Sequence, residues 1–163
     1  MSIKSMYRVL AVLALSLNLF GVFHNLARAD SCPKDLTYTL RTTDDQISDP
    51  TWKTSYSATT RNIYFALDID GKKNLIRNYL STSHTLKTEV FAPDHLCGGR
   101  RCIYQIFTEI IPASSEDMIT CGRRYWKSLS VAGTFIQSLY GIWTADSYVD
   151  DNLVGTTSFE ITP

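Results

Sequence analysis

The sequence lacks most of the patterns that identify an enzyme or a metal protein. It contains no C-x-x-C pair, no G-x-S-x-G turn and only three histidines. The first absence removes the usual cysteine spacing of a zinc ribbon, and the second removes the nucleophile turn of α/β-hydrolases. There is also no internal repeat and no low-complexity stretch, which disfavours solenoids and disordered linkers. The informative features are an apolar leader, four cysteines and a β-type hydrophobic pattern.

The N-terminal segment has the composition of an export signal. Lys4 and Arg8 precede a mostly apolar run over residues 9–23, and Ala-Arg-Ala at residues 27–29 is the small-x-small pattern that a signal peptidase cuts. The run is about 15 residues long, short of the roughly 20 that span a bilayer as a helix. We therefore expect a signal peptide over residues 1–29 that is cleaved, leaving no membrane span.

The mature chain, residues 30–163, is expected to form one domain in a secreted or periplasmic location. Three of the 16 basic residues and none of the 16 acidic residues lie in the leader, so the mature chain would carry a net charge of −3. A mildly acidic surface repels phosphate backbones, which disfavours nucleic acid as a partner. The chain has no N-x-S/T sequon, and this absence favours a bacterial origin over a eukaryotic one.

The cysteine count predicts disulfides. All four cysteines lie in the mature part: Cys32, Cys97, Cys102 and Cys121. An even number in an exported chain indicates two bridges, for which three connectivities exist. We favour a short bridge from Cys97 to Cys102 and a long bridge from Cys32 to Cys121. Zinc is disfavoured because His84 and His95 are the only mature histidines, and no cofactor is predicted.

Period-two alternation of apolar residues predicts a mostly β chain. The expected strands cover residues 62–69, 85–91, 103–111 and 125–131, followed by a hairpin over 142–149 and 153–161. Asp70-Gly71 is a dipeptide that often turns a hairpin. Helical spacing is seen only over residues 72–80, and residues 114–118 suggest a single turn.

Short strands separated by frequent turn signals predict an all-β fold. We expect an antiparallel β-sandwich held by two disulfides, with a small β-barrel as the alternative. Large apolar side chains on the expected inner faces are Phe65, Leu67, Ile106, Trp126, Trp143 and Phe159.

Three segments near the C-terminus share a pattern with a known class of modules. They are GIWT at residues 141–144, YVDDNLV at 148–154 and TSFEI at 157–161. Together they resemble the closing hairpin of immunoglobulin-like modules in exported bacterial proteins, and TLKTEVFAPD at 85–94 is similar to an earlier strand and turn of those modules. The resemblance implies an immunoglobulin-like sandwich with a binding, accessory or structural role, and no particular ligand.

Several acidic groups invite a calcium interpretation. They are Asp68 with Asp70, Asp146 with Asp150 and Asp151, and Asp44 with Asp45 and Asp49. None has the full set of spaced oxygen ligands that a calcium loop needs, and turns select aspartate for its own backbone hydrogen bonds. We therefore predict turns and no metal site.

Two other motifs are candidates for function. Asp94-His95 is the only neighbouring carboxylate–imidazole pair of the mature chain, and an acid–base role would need a nucleophile or third group beside it. Arginine pairs flank the cysteines: Arg100, Arg101, Arg123 and Arg124. If the disulfides bring these pairs together, their guanidinium groups form a basic patch for carboxylate, sulfate or phosphate. The alternative is solvated arginines that pair with Glu116 and Asp117.

These features predict an exported, non-catalytic binding or accessory module. Its recognition surface would be the disulfide-closed loop that carries Arg100 and Arg101, and its partner a protein, an anionic small molecule or a glycan. We expect alanine at both positions to weaken partner capture without lowering the melting temperature. The alternatives are a small secreted hydrolase that uses Asp94 and His95, and a secreted inhibitor or effector whose disulfide loop plugs a partner's cleft.

Overall fold

A computed structural model describes residues 32–47, 49–114 and 121–163. The predicted signal peptide and most of the predicted turn at residues 114–118 lie outside these ranges. Within them, no helix is long and apolar enough to cross a membrane.

The smaller of two β-sheets has three antiparallel strands. Strand β1 (Thr37–Thr43) and strand β6 (Gly122–Ser130) pair with opposite edges of β3 (Asn62–Asp70). The alternation of Ile63, Phe65, Leu67 and Ile69 turns four buried apolar side chains of β3 toward the core. The polar side chains between them face outward.

The larger sheet has five strands in the order β2-β8-β7-β4-β5. Their bounds are β2 Ser55–Ser57, β4 His84–Ala92, β5 Cys102–Ile111, β7 Gly141–Val149 and β8 Asn152–Thr162. The short β2 runs parallel to β8, and every other pair is antiparallel. The described strands form two separate sheets rather than one closed ladder, which excludes the barrel alternative.

The strand order is that of an immunoglobulin-like sandwich. In such folds the first, second and fifth strands share one sheet, while the last two strands and the third share the other. When the short β2 is not counted, the first, second and fifth strands here are β1, β3 and β6, and the third and last two are β4, β7 and β8, so the two sheets are reproduced. Strand β5 extends the second of these sheets as the extra strand of variable-type domains does. The predicted all-β sandwich is confirmed, with one parallel three-residue pair as a departure from a purely antiparallel arrangement.

The core between the sheets is aromatic at its centre. Trp143, Phe65 and Phe159 are at most 1% exposed, and their rings contact one another through Phe159. Two residues expected on inner faces differ. Ile106 is 49% exposed on the outer face of β5, and Trp126 is half-buried on the outer face of β6, because each alternates with residues that point toward the other sheet.

Turn chemistry was predicted correctly at one hairpin and wrongly at another position. Asp150 and Asp151 both have positive φ, 48° and 63°, and form the two-residue turn between β7 and β8. Asp70-Gly71 does not close a hairpin. Gly71 instead leads into helix α1 (Lys73–Leu80), which confirms the helix predicted over residues 72–80.

Two disulfides join the described cysteines, in the pairing favoured from the sequence. The long disulfide, Cys32–Cys121, has a Cα–Cα distance of 5.2 Å and fastens the segment before β1 to the start of β6. The short disulfide, Cys97–Cys102, has a Cα–Cα distance of 6.1 Å and closes the connection between β4 and β5. It constrains the loop on which the arginine hypothesis depends.

Candidate functional site

The connection between β4 and β5 is a compact, braced loop. After Pro93 the chain makes one 3₁₀ turn, Asp94–Cys97, which ends at Gly98 in the left-handed region (φ 66°). Gly99 also has positive φ, 77°, and its N–H donates to the Asp94 carbonyl over 2.8 Å. Two glycines in sequence permit this reversal because they have no Cβ to clash.

Arg101 is half exposed, but its guanidinium lies against the sheet. Its Nη2 donates to Asp146 Oδ2 over 2.7 Å, and its guanidinium lies 3.5 Å from the centre of the Phe91 ring. The Asp146 side chain is 5% exposed and also accepts a hydrogen bond from Thr156 Oγ1 over 2.9 Å. Arg101 therefore neutralises a buried carboxylate, so its removal should lower stability, contrary to the expectation from sequence.

Arg100 is the arginine of this loop that remains available. Its side chain is exposed, and no described residue forms an ion pair or hydrogen bond with it. Adjacent residues in an extended chain point in opposite directions, which is why Arg101 reaches the sheet and Arg100 does not. Arg100 can donate two parallel hydrogen bonds to a carboxylate of a ligand.

Arg123 and Arg124 do not join this loop. They lie in β6 of the other sheet, where Arg124 binds Asp68, with 3.1 Å between Nη2 and Oδ2. Asp68 faces outward from the small sheet and Asp146 faces outward from the large one, so Arg124 and Arg101, which bind them, lie on opposite sides of the sandwich. The expected four-arginine patch is not formed. Glu116 and Asp117, the expected partners of the arginines, lie outside the described residues.

A cleft opens beside the braced loop. It has a volume of about 480 Å³ and is lined by Ala92, Pro93, Asp94, His95, Gly141, Ile142 and Thr144. Gly141 forms part of its wall at φ 123°, and a Cβ there would lie 2.9 Å from His95 Cε1. The cleft thus depends on a glycine that allows β7 to begin close to the loop.

One exposed apolar side chain, Ile142, lines the cleft, and two more lie on residues adjacent in sequence to its lining. Leu96 on the 3₁₀ turn is 44% exposed, Tyr140 is 42% exposed and Ile142 is 65% exposed. We call these three residues, with Arg100 and the cleft, the loop-end surface. A concave region with an apolar rim and a cation is typical of sites that bind other proteins.

The carboxylate–imidazole contact of this structure is not Asp94–His95. Among the described residues, no hydrogen bond joins those two side chains to each other or to a third group. The contact is instead formed at the opposite end of the sandwich, where His84 Nδ1 lies 2.6 Å from Asp150 Oδ2. No local pattern could have indicated it, because the two residues are 66 positions apart.

Both ring nitrogens of His84 face oxygen acceptors, since Nε2 lies 2.6 Å from the Tyr79 carbonyl. Burial alone would lower the pKa of His84, but these two acceptors outweigh it and raise the pKa. The hydrogen bond from His84 in turn lowers the pKa of the Asp150 carboxyl, assisted by the Thr85 N–H. The imidazole has no free nitrogen for a substrate, so the arrangement is a structural clamp between α1, β4 and the final hairpin.

A second cluster that sequence reasoning missed lies on the small sheet. Arg41 and Arg124 both bind the buried Asp68 carboxylate. Their guanidinium groups lie 4.1 Å and 4.9 Å from the ring centre of Trp52, which reaches this face from the β1–β2 connection. Both arginines thus bind one buried carboxylate and lie against one indole ring.

Each acidic group considered for calcium contains at least one carboxylate that binds a cationic side chain of the chain itself. Asp68 and Asp146 bind arginines, Asp150 binds His84, and Asp44 accepts from Lys53 Nζ over 2.6 Å. Within residues 32–47, 49–114 and 121–163, no group of three or more His, Cys, Asp or Glu side chains is placed to hold a metal ion.

Comparison with known proteins gives structural neighbours only. No protein-family profile matches this chain, and no curated protein matches it in sequence. A Pseudomonas fluorescens alkylpurine DNA glycosylase, AlkC, bound to DNA with an abasic-site analogue, aligns at a TM-score of 0.48 and 8% identity, covering 80% of this chain. This chain spans 31% of the glycosylase.

Two further neighbours have lower scores. An immunoglobulin-like protein from Pseudomonas aeruginosa aligns at a TM-score of 0.37 and 15% identity, covering 80% of this chain and 94% of its own. A mutant β-glucosidase from Listeria innocua, in complex with laminaribiose, aligns at 0.39 and 8% identity, covering 78% of this chain and 16% of its own. None of these three structures reaches a TM-score of 0.5, so the architecture rests on the strand order itself.

Proposed function

We propose that this protein is an exported, non-catalytic binding module that recognises a protein or peptide partner through the loop-end surface. The observation that carries the proposal is a cleft of about 480 Å³ lined by the exposed Ile142, with the exposed Leu96 and Tyr140 on residues adjacent in sequence to its lining. Arg100 is exposed in the same β4–β5 loop that forms one wall of the cleft. Apolar and aromatic anchors with an arginine are the residue types that contribute most of the affinity of protein interfaces.

The bracing of the loop supports the same conclusion. A loop that is closed by a disulfide and turned by two left-handed glycines has little conformational entropy left to lose on binding. The two disulfides also fit an oxidising compartment. Together with the apolar leader they support a secreted or periplasmic location.

The charge distribution favours a peptide over a free anion. Arg101 is neutralised by Asp146, which leaves Arg100 as the loop's available cation, and Asp94 lies in the same cleft wall. A single guanidinium beside apolar side chains suits one carboxylate within a larger apolar ligand better than a sulfate or phosphate. The glycan and small-anion alternatives are weaker for this reason.

The test uses a partner retained by the purified protein from exported fractions and then isolated. Titration calorimetry should show that R100A and I142A each weaken binding about tenfold or more. L153A is the matched control, because Leu153 is also well exposed, at 57%, but lies at the far end of the same sheet. Equal affinity of all three variants, with unchanged melting temperatures, would contradict this site.

The remaining alternatives predict different results. A hydrolase built on Asp94 and His95 predicts turnover of an ester or peptide substrate that H95A abolishes. An inhibitor predicts that the isolated partner loses its own activity on binding, and that R100A restores that activity.

A further inference from the structure

Strand β5 is the terminal strand of the larger sheet. Strand β4 pairs with one of its edges, and no strand among the described residues pairs with the other. Its ten residues contain one charged side chain, Glu109, and neither proline nor lysine. Natural sheets usually protect long edges with such residues because unpaired N–H and C=O groups recruit another strand.

One device along this edge confines where pairing is possible. The register of β4 and β5 shifts between Val90 and Phe91, which leaves Tyr104 as an extra residue in β5. Beyond this bulge, residues 105–111 remain regular. At about 3.4 Å per residue they offer a straight edge roughly 24 Å long.

The outer face of this regular segment is apolar. Ile106 and Ile110 are 49% and 68% exposed, and they lie on either side of the exposed Thr108. The three residues face the same way because side chains alternate along a strand. An exposed strip of β-branched residues beside an unpaired edge is the combination that stabilises strand association.

The charge of the edge does not oppose a second copy. Glu109 faces the inner side, where it forms an ion pair with Lys127 of β6. The edge is therefore neutral, and two such edges meet without net repulsion. Two copies can therefore pair without charge repulsion in any two-fold register that does not place Glu109 opposite Glu109 of the partner subunit.

We propose that two copies of this chain associate through antiparallel pairing of their β5 edges, with Thr108 opposite Thr108 of the partner subunit. This register places Ile106 opposite Ile110 of the partner subunit on the outer face. It places Glu109 opposite Phe107 of the partner subunit, which separates the two carboxylates. A register centred on Glu109 would oppose like charges, and one centred on Phe107 would bring the bulged Tyr104 into the pairing.

The dimer has a two-fold axis and an uninterrupted ten-stranded sheet. Because the short disulfide closes at Cys102, the first residue of β5, antiparallel pairing places the two braced loops at opposite ends of the shared sheet. Neither loop-end surface takes part in this strand pairing. Dimerisation is therefore independent of the proposed function, and either can fail without the other.

Cysteine cross-linking tests the register. Directly opposed residues of an antiparallel pair have Cα atoms about 4.5–5.5 Å apart, within the range of a disulfide. T108C should therefore give a covalent dimer on a non-reducing gel after mild oxidation. Q105C is the matched control on the same strand, because in this register Gln105 faces Ile111 of the partner subunit, and the two new thiols lie about 20 Å apart.

Sedimentation velocity tests the association without added cysteines. The purified protein should be dimeric at about 100 μM, and I106K should weaken the dimer at least about tenfold, since lysine on an edge opposes pairing. L153K, at a similarly exposed apolar residue away from this edge, should leave it unchanged. The proposal is overturned by a monomer at that concentration, by a dimer insensitive to I106K, or by equal cross-linking of Q105C and T108C. The proposal is also overturned if the protein stays monomeric and its β5 edge pairs only with a strand of a different protein.

Discussion

Replacing Arg101 by alanine should destabilise the fold, whereas the same change at Arg100 should not. The two residues are neighbours in one loop, but Arg101 donates to the 5%-exposed Asp146 side chain over 2.7 Å and stacks on Phe91. Arg100 contacts none of the described carboxylates. The pair is therefore an internal comparison of one side chain type in two environments.

The magnitude follows from the two interactions that the substitution removes. A hydrogen bond to a charged group contributes about 1.5–3 kcal/mol, and this range must be reduced because the Arg101 side chain is 49% exposed and screened by water. The stacking on Phe91 adds about 0.5–1 kcal/mol. We expect R101A to lower the free energy of unfolding by about 2 kcal/mol, and R100A to change it by less than about 0.5 kcal/mol.

Urea denaturation followed by tryptophan fluorescence would measure both variants. For a domain of this size the expected loss corresponds to a melting temperature roughly 6–10 °C lower for R101A. A double-mutant cycle with D146N should recover about 1 kcal/mol of coupling, because the guanidinium then has no carboxylate to bind. If R101A is as stable as R100A, the contact with Asp146 does not stabilise the protein, and the role assigned to Arg101 is refuted.

Three other changes should have distinct effects. Because the pKa of His84 is raised in the folded state, its contact with Asp150 stabilises the protein fully below about pH 6.5 and is lost as the pH rises through the folded-state pKa. The lowered pKa of Asp150 means that its own contribution is lost only in acid. From pH 6 to pH 8 the melting temperature of the wild type should therefore decrease relative to that of H84Q, and a constant difference between the two would contradict the clamp. G141A should lower the free energy of unfolding by about 1–3 kcal/mol, because φ is 123° and the new Cβ meets His95. G133A is the control, since it also places a Cβ at positive φ (78°) but in open space. If G141A destabilises the protein no more than G133A does, the contact with His95 is unimportant. Removing the long disulfide by serine at both cysteines should cost about 4–5 kcal/mol by loop entropy, seen as a lower urea midpoint, and a loss no greater than that from the short disulfide would contradict the loop-entropy explanation.

Local signals were sufficient where one strand or turn decides its own structure. Alternation located β3, β4, β5 and the final hairpin, because a period of two can be read from neighbouring residues alone. The first strand was not predicted: its sequence, TYTLRTT, is largely polar, and it is a strand because it pairs with β3. The same limit applies to β2, whose three residues are ordered by β8.

What each arginine, histidine and isoleucine does was decided by residues far away in the chain. Arg101 binds Asp146, which lies 45 positions away in the sequence, and Arg124 binds Asp68, which lies 56 positions away. Arg100, next to Arg101, contacts no described carboxylate, so adjacent arginines have different roles. The sequence predicts Ile106 as a core residue, but the structure exposes it, because its side chain points away from the other sheet. The sequence determined the strand pattern and the number of cysteines available for bridges. Only the packed sandwich decided which charges meet and which apolar side chains remain in water, because both depend on distances between strands that no local pattern encodes.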